Sequence, residues 1–302
     1  MYDIIIIGAG PSGLCAALYA LRSGKKVLVL EGESFGGQIT MAPIIENYPA
    51  AGKISGIDFA DRLTEQVTEL GGEMEFSLVK KIVPGEIKKV ITEDGEYEAR
   101  AVIIAAGAKH RTLELANEES FVGKGISYCA VCDGAFYKDK TVALAGGGNS
   151  ALSDALYLSD ICKKVYIIHR RNIFRAEENL VSLAKSRENI EFILDATVEK
   201  ISGENSLESV LICPKASENF TLSISALFIA VGMVPSNGIF SNVAEIDRDG
   251  YIKTDEDCNT GFDGIFAAGD CRAKKVRQLT TATADGTVAA LAACEYLDKK
   301  LP

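Results

Sequence analysis

The chain is predicted to be α/β: two dinucleotide-binding, Rossmann-like, three-layer domains, one inserted in the other, which is thereby discontinuous. Three observations predict this. A glycine-rich loop, Gly8-Ala9-Gly10-Pro11-Ser12-Gly13, follows a β-branched run at the N-terminus, and a second, Gly146-Gly147-Gly148-Asn149-Ser150-Ala151, follows another apolar run mid-chain. The two are copies of one unit. A shift of 138 positions superposes Gly8 on Gly146, Gly10 on Gly148, Gly13 on Ala151, Ala17-Leu18-Tyr19 on Ala155-Leu156-Tyr157 and Lys25-Lys26-Val27 on Lys163-Lys164-Val165. Between them stands a lone CxxC, Cys129-Ala130-Val131-Cys132, followed by Asp133-Gly134.

The bulk numbers agree. A chain of 302 residues has room for two ordinary domains and a real core. Its 47% hydrophobic and 25% charged residues are those of a globular protein, and a net charge of −10 argues against nucleic acid or an anionic membrane as partner. Met1-Tyr2-Asp3 runs straight into Ile4–Ile7 with no basic region or cleavage site, so no signal peptide is expected. No apolar run approaches the roughly 20 residues of a membrane helix. With 8 cysteines, too few for a disulfide scaffold, a reducing cytoplasm is the expected location.

Taken in order, Asp3–Ile7 lacks polar alternation, as a strand buried on both faces of a parallel sheet does. Gly8 permits the tight turn, Gly10 lets backbone approach a pyrophosphate, and Gly13 lets a helix over about Ser12–Arg22 pack on the strand. The helix N-terminus then faces phosphate. Ser23-Gly24 stops the helix, and the strand Lys26–Leu30 delivers Glu31, a carboxylate placed for ribose hydroxyls and repulsive to a 2′-phosphate. This copy therefore suits FAD or NAD(H) rather than NADP(H). Residues 33–60 read as loop, with Phe35-Gly36-Gly37-Gln38 and Ile44–Pro49 able to wrap a bulky ring system. Phe59, Leu63, Val67 and Leu70 have helical spacing over Asp58–Leu70, which Gly71-Gly72 ends. Residues 75–106 read as short strands, the last turning at Gly107.

A CxxC can close a disulfide, since a first helical turn holds Cα atoms within the bonding range. The alternatives are half a zinc site or two buried thiols. Zinc would want two further ligands, but no second CxxC or HxxxH exists and His110 and His169 are the only histidines. Redox is the favoured reading. In the second nucleotide unit the 138-residue shift carries Glu31 onto His169, followed by Arg170, Arg171 and, further on, Arg175. Planar guanidinium forks suit a 2′-phosphate, so this copy is built for NADPH. Gly123-Lys124-Gly125 and Gly232–Pro235 flank it as linkers. The expected boundaries are 1–112 with 241–302 for the FAD domain and 113–240 for the NADPH domain carrying the CxxC. Near the C-terminus Gly261–Asp270 reads as another apolar strand ending in an acid, followed by Arg277-Gln278-Leu279 and a small-residue helix to Leu297. Asp270 is placed either for a flavin's ribityl or pyrophosphate side or as a helix cap.

Across essentially its full length the chain resembles the low-molecular-weight thioredoxin reductases. The match rests on both glycine loops, Gly36-Gly37-Gln38, Glu46-Asn47-Tyr48-Pro49, Cys129–Gly134, His169-Arg170-Arg171, Phe174-Arg175-Ala176-Glu177, Gly269-Asp270 and Arg277-Gln278. The resemblance implies a homodimer that passes electrons from NADPH through FAD and the Cys129–Cys132 disulfide to thioredoxin. It implies FAD contacts from Gly8, Gly10, Pro11, Ser12, Gly13, Glu31, Gly36, Gly37, Gln38, Asn47, Gly107, Gly269, Asp270, Arg277, Gln278 and Leu279. NADPH contacts would come from Gly146, Gly148, Asn149, Ser150, Ala151, His169, Arg170, Arg171 and Arg175. By analogy Asp133 is a general acid, Cys132 faces the flavin and Cys129 exchanges with the protein substrate, although spacing alone leaves the two sulfurs interchangeable.

Because the dithiol shares a domain with the NADPH loop and the flavin belongs to the other, a hinge is expected at about residues 112–125 and 232–240. Two departures stand out: Ala50 follows Pro49 where glycine is usual, and Ser153-Asp154 replace two glutamates. The remaining cysteines, 15, 162, 213, 258, 271 and 294, are expected as buried small hydrophobes. Competing readings are a related flavoprotein reductase with another protein acceptor and a non-enzymatic nucleotide-binding redox or metal sensor.

Overall fold

The structure, a computed structural model, describes residues 1–300. His110–Met233 forms one compact unit, and Met1–Lys109 with the chain from Val234 onward forms the other.

The first unit begins with β1 (Tyr2–Ile7), α1 (Pro11–Arg22), β2 (Val27–Glu31), α2 (Gly56–Glu69) and β3 (Glu73–Phe76), then β4 (Val79–Val83), β5 (Lys88–Thr92) and β6 (Glu96–Ile104). Its sheet runs β3-β2-β1-β6-β5-β4. β1 lies between β2 and β6, parallel to both, which explains the missing polar alternation: Ile4 and Ile6 enter one core, Ile5 and Ile7 the other. Each such isoleucine contributes about 1.5–3 kcal/mol by burial. Helix α2 starts two residues before the spacing of its apolar positions suggests, because the Ser55 hydroxyl caps it by accepting the Asp58 N–H. β4 and β5 turn antiparallel, and their Val79, Ile82 and Val90 join the core opposite the helices. They extend the same sheet, which is parallel from β3 to β6 and antiparallel beyond.

After β7 (Lys109–His110), the second unit contains β8 (Ile126–Ser127), α3 (Ala130–Asp133), β9 (Thr141–Gly146), α4 (Asn149–Ser159), β10 (Lys164–His169), α5 (Glu178–Lys185) and β11 (Ile190–Leu194). β12 (Ala196–Ser202), β13 (Ser209–Pro214), β14 (Phe220–Ser223) and β15 (Ala226–Ala230) complete it. The parallel sheet runs β11-β10-β9-β15-β8, and β12-β13-β14 form a separate antiparallel sheet. Helix residues such as Leu152 and Leu158 pack on one face, while Ile201, Val210 and Ile212 cover the other. The repeat is realised in three dimensions: Pro11 and Asn149 open their helices and Glu31 and His169 end their second strands, each pair 138 positions apart.

The chain returns through β16 (Met233–Val234), which pairs with β7. The unit boundaries fall inside this ribbon, whereas composition placed them at 112/113 and 240/241; two-residue strands carry no periodicity that a sequence reading can use. Then β17 (Ile265–Ala267) joins β6 in parallel and α6 (Leu279–Lys299) packs on α1. Among the described residues no helix is long and apolar enough to cross a membrane. Of the cysteines outside the CxxC, five are buried and Cys213 is partly exposed.

Ala50 holds a φ of 67°, in the left-handed region that an L side chain resists. The departure at this position therefore stores strain. Ala50→Gly is expected to raise the unfolding free energy by about 0.5–1 kcal/mol, the relieved strain being partly offset by glycine's greater chain entropy. Denaturant unfolding measures this, and a destabilised variant would contradict it.

Candidate active site

In the first unit the predicted residues converge at the carboxyl ends of β1, β6 and β17, where open α/β sheets bind nucleotides. A Cβ on Gly8 would lie 2.4 Å from the Ala105 carbonyl oxygen, and one on Gly13 1.9 Å from that of Gly8, so both must be glycine. Gly10 faces open space instead, leaving its backbone free to meet a ligand. Pro11 is the first residue of α1, where its missing N–H is no loss. Gly36 and Gly37 form a left-handed turn folded onto this loop: the Gly36 N–H donates to the Ala9 carbonyl at 2.9 Å, and a Cβ on Gly37 would come 3.1 Å from Gly10. Gln38 next to them is exposed. Asn47 donates to Gln278, the N-cap residue of α6, and Leu279 packs beside Ile45 and Tyr48. Gly107, after β6, is left-handed with open space before it.

Glu31 is buried, and its carboxylate accepts three backbone N–H groups, from Ala9 at 2.7 Å, Glu33 at 2.8 Å and Ser34 at 3.3 Å. It ties the loop together as well as presenting lone pairs to a ribose. Gly269 sits against Ser12, which a Cβ would approach to 2.7 Å. Asp270 follows it. Arg277 is spent on the fold: its guanidinium lies 3.9 Å above the Tyr251 ring and donates to the Arg272 carbonyl at 3.1 Å. Two buried acceptors in this crevice, Ser12 Oγ and Asp270 Oδ1, make no hydrogen bond. Open glycines and two buried oxygens awaiting partners fit a dinucleotide with hydroxyls on its linker, as FAD has.

In the second unit Gly146 abuts the Ala230 carbonyl, Ala151 takes the third glycine's place, and Gly148 faces open space. Ser150 is exposed beside Asn149 at the start of α4. Asn149 and Glu177 clasp each other: Asn149 Nδ2 donates to Glu177 Oε1 at 3.0 Å and the Glu177 N–H donates to Asn149 Oδ1 at 2.8 Å. The clasp fixes the arginine segment beside the loop, as does the Arg175 N–H donating to the Gly147 carbonyl at 2.8 Å.

His169 is not one of the cations that the arginine-rich stretch suggests. It is buried, stacked on Phe174 at 5.2 Å, and its ring fills the space that a side chain on Gly147 would need. Burial, then the charges of Arg170, Arg171 and Arg175, hold its pKa below the ordinary value, so it is neutral near pH 7. The three arginines themselves are exposed and form no ion pair among the described residues. An open Gly148 and three uncommitted guanidiniums fit a nucleotide bearing a 2′-phosphate.

Cys129 and Cys132 are joined in a disulfide, with Cα atoms 5.3 Å apart. Cys129 caps the short helix α3, and its Sγ accepts the Cys132 N–H at 3.2 Å. The Ser127 hydroxyl donates to Asp133 Oδ2 at 2.6 Å and accepts the Cys129 N–H at 3.1 Å. Burial pushes the Asp133 acid above the ordinary carboxylate range, and the Ser127 bond opposes this only in part. Buried Glu118 accepts the Leu113 and Leu115 N–H groups and the Tyr128 hydroxyl, anchoring the strand that enters Cys129. No motif signals Ser127 or Glu118: their types are common, and although Ser127 stands two residues before Cys129, only the fold turns its hydroxyl onto Asp133 and brings Glu118 to Tyr128. Asp154, in α4, has its pKa pushed up to about 6 by burial.

The pyridine nucleotide-disulphide oxidoreductase family matches residues 2–286. The thioredoxin reductase of Listeria monocytogenes is 41% identical over 302 residues, covering 99% of this chain and 95% of the relative. That of Bacillus subtilis is 38% identical over 99% of this chain and 96% of its own. The crystal structure of thioredoxin reductase from Streptococcus pyogenes superposes with a TM-score of 0.95 at 42% identity, covering 99% of both chains. With its paired nucleotide loops and its CxxC disulfide, the chain belongs to the pyridine nucleotide-disulphide oxidoreductases, in their low-molecular-weight thioredoxin reductase branch.

Proposed function

We propose that the protein reduces the disulfide of a thioredoxin with electrons from NADPH, by way of FAD held in the first unit and the Cys129–Cys132 pair of the second. The observation that carries this is the dithiol site itself: a closed Cys129–Cys132 disulfide beside a half-buried acid, in the same unit as an arginine-flanked nucleotide loop. When bound, NADPH supplies two electrons and FAD relays them to the disulfide. Gly8–Gly13, Glu31, Gly36–Gln38, Asn47, Gly107, Ser12 and Asp270 hold the flavin dinucleotide. Gly146–Ala151 with Arg170, Arg171 and Arg175 hold NADPH.

Opening the disulfide leaves two sulfurs and requires protons. The Cys132 N–H favours a thiolate on Cys129, since a hydrogen bond to the charged form stabilises it. Asp133, whose acid form burial favours, is placed to protonate the thioredoxin sulfur that departs during exchange. The Cys129 thiolate then attacks the thioredoxin disulfide to form a mixed disulfide. Cys132 displaces the reduced thioredoxin and closes the pair again. Val131 and Phe136, both exposed, offer apolar surface to a protein acceptor beside the pair. We further propose that the units rotate about the β7–β16 ribbon during turnover, that the protein is a homodimer and that it works in the cytoplasm.

NADPH-dependent reduction of thioredoxin by the FAD-loaded protein tests the reading. Consumption of NADPH with no thioredoxin reduced would overturn it. Asp133→Asn is expected to slow exchange with thioredoxin by about a hundredfold or more while flavin reduction by NADPH stays unchanged. The sign of the pH dependence follows from the raised acid: as pH climbs through its pKa the proton donor is lost, so the wild-type rate falls at high pH. The asparagine variant should lack that limb, and stopped-flow traces across pH would show whether it does.

A further inference from the structure

Three charged side chains that the reaction leaves unused, Arg272, Lys274 and Asp285, gather with Asp270 beneath the Gly269-Asp270 turn. Arg272 Nη1 lies 2.8 Å from Asp285 Oδ1, and Lys274 Nζ lies 2.9 Å from Asp285 Oδ2 and 3.5 Å from Asp270 Oδ1. Their side chains are 13%, 14%, 16% and 28% exposed for Arg272, Lys274, Asp285 and Asp270. Asp285 Oδ2 also accepts the Gly269 N–H at 3.0 Å, and Lys274 Nζ reaches Thr281 Oγ1 at 3.3 Å. The cluster therefore ties helix α6 to the turn that carries Asp270.

Its division of charge is informative. Arg272 is paired with Asp285 from one side, so the Lys274 charge is shared with Asp270 on the other. Asp270 Oδ1 is buried, stands at ion-pair distance from Lys274, and makes no hydrogen bond. A carboxylate in such a place would take up a proton unless a cation held it ionised. The other groups facing Asp270 are Arg277, Asp285 and Tyr251. The Arg277 guanidinium is committed to the Tyr251 ring and to the Asp270 and Arg272 carbonyls. Burial raises the Asp270 pKa, and Lys274 is the first of the charges opposing it.

We propose that Lys274, bridging Asp270 and Asp285, is a positioning residue of the FAD site: it keeps Asp270 ionised with one oxygen open to a cofactor hydroxyl. The inference rests on the reading of Asp270 as a flavin contact. Without the lysine, the committed Arg277 guanidinium is the remaining cation facing Asp270, so an ionised Asp270 would repel the anionic cofactor, and FAD binding would favour its protonated form and weaken as pH rises.

The test is an equilibrium titration of the full-length apoprotein with FAD, followed by flavin fluorescence at several pH values. Wild type should bind with an affinity nearly independent of pH between about 6 and 8. Lys274→Met is expected to lose about tenfold in affinity over that interval, a coupling of the size seen between residues in one charged network. Lys274→Arg should restore the flat profile, and Lys274→Gln replaces the methionine variant if that one does not fold. The slope should vanish in Asp270→Asn/Lys274→Met. A flat profile for Lys274→Met, or for Lys274→Gln where it stands in, or a slope that persists in the double variant, overturns the proposal while Asp270→Asn alone still weakens binding. Wild-type affinity in Asp270→Asn would instead overturn the flavin role of Asp270, and the proposal with it.

Discussion

Changing either Cys129 or Cys132 to serine is expected to lower NADPH-dependent thioredoxin reduction by more than about a thousandfold, as removal of one member of a catalytic unit does. An alcohol cannot accept electrons by opening a bond to its neighbour, so no second path through this site exists once one sulfur is gone. The residues proposed to hold FAD lie in the other unit, and those proposed to hold NADPH lie at the end of β9, in α4 and in the segment after β10. Bleaching of the flavin absorbance by NADPH should therefore proceed at close to the wild-type rate in both variants. The two differ in what they leave behind. Cys132→Ser leaves the Cys129 thiol, the proposed attacker, with no partner to release its product. It should accumulate a mixed disulfide with thioredoxin that survives a non-reducing gel, while Cys129→Ser should not. Trapping by Cys129→Ser alone would reverse the assignment of the sulfurs, and full activity in either variant would remove the dithiol from the reaction.

Replacing Arg170, Arg171 and Arg175 together with alanine should abolish the preference for NADPH while leaving the slower reaction with NADH nearly untouched. These guanidiniums are exposed and form no ion pair among the described residues, so their removal leaves no buried charge stranded. A hydrogen bond to a charged group contributes about 1.5–3 kcal/mol, so each arginine that touches the 2′-phosphate should be worth roughly tenfold to a hundredfold in kcat/KM for NADPH. His169 should behave differently. It is neutral, stacked on Phe174 and pressed against Gly147. His169→Ala is expected to weaken NADPH and NADH alike, by loosening the loop. Steady-state kinetics with the two nucleotides separates these outcomes; an arginine variant that loses both equally would show that the segment shapes the loop rather than reading a phosphate.

Much of the nucleotide architecture could be read from residue order because the relevant physics is local. An unbroken run such as Ile4–Ile7 has no polar face to show solvent, and the glycines at 8 and 13 sit where a Cβ would strike backbone. The 138-residue repeat then carries one reading onto the other. Helix α2 was harder, since its start is set by the Ser55 cap and not by apolar spacing. The antiparallel strands were also hidden, because short strands of mixed polarity such as β4 and β14 look alike whether they extend a sheet or cover one.

The sequence by itself determined the βαβ units, the chemistry of their loops and the presence of a dithiol between them, since these follow from backbone sterics and from side-chain types at fixed short spacing. Only the tertiary structure decided how that chemistry is tuned. It placed Ser127 against Asp133, stacked His169 on Phe174 and against Gly147, and set Lys274 between Asp270 and Asp285. A proton's affinity and a charge's cost depend on burial and on which side chains come into contact, near or far along the chain, and those contacts exist only once the chain has folded.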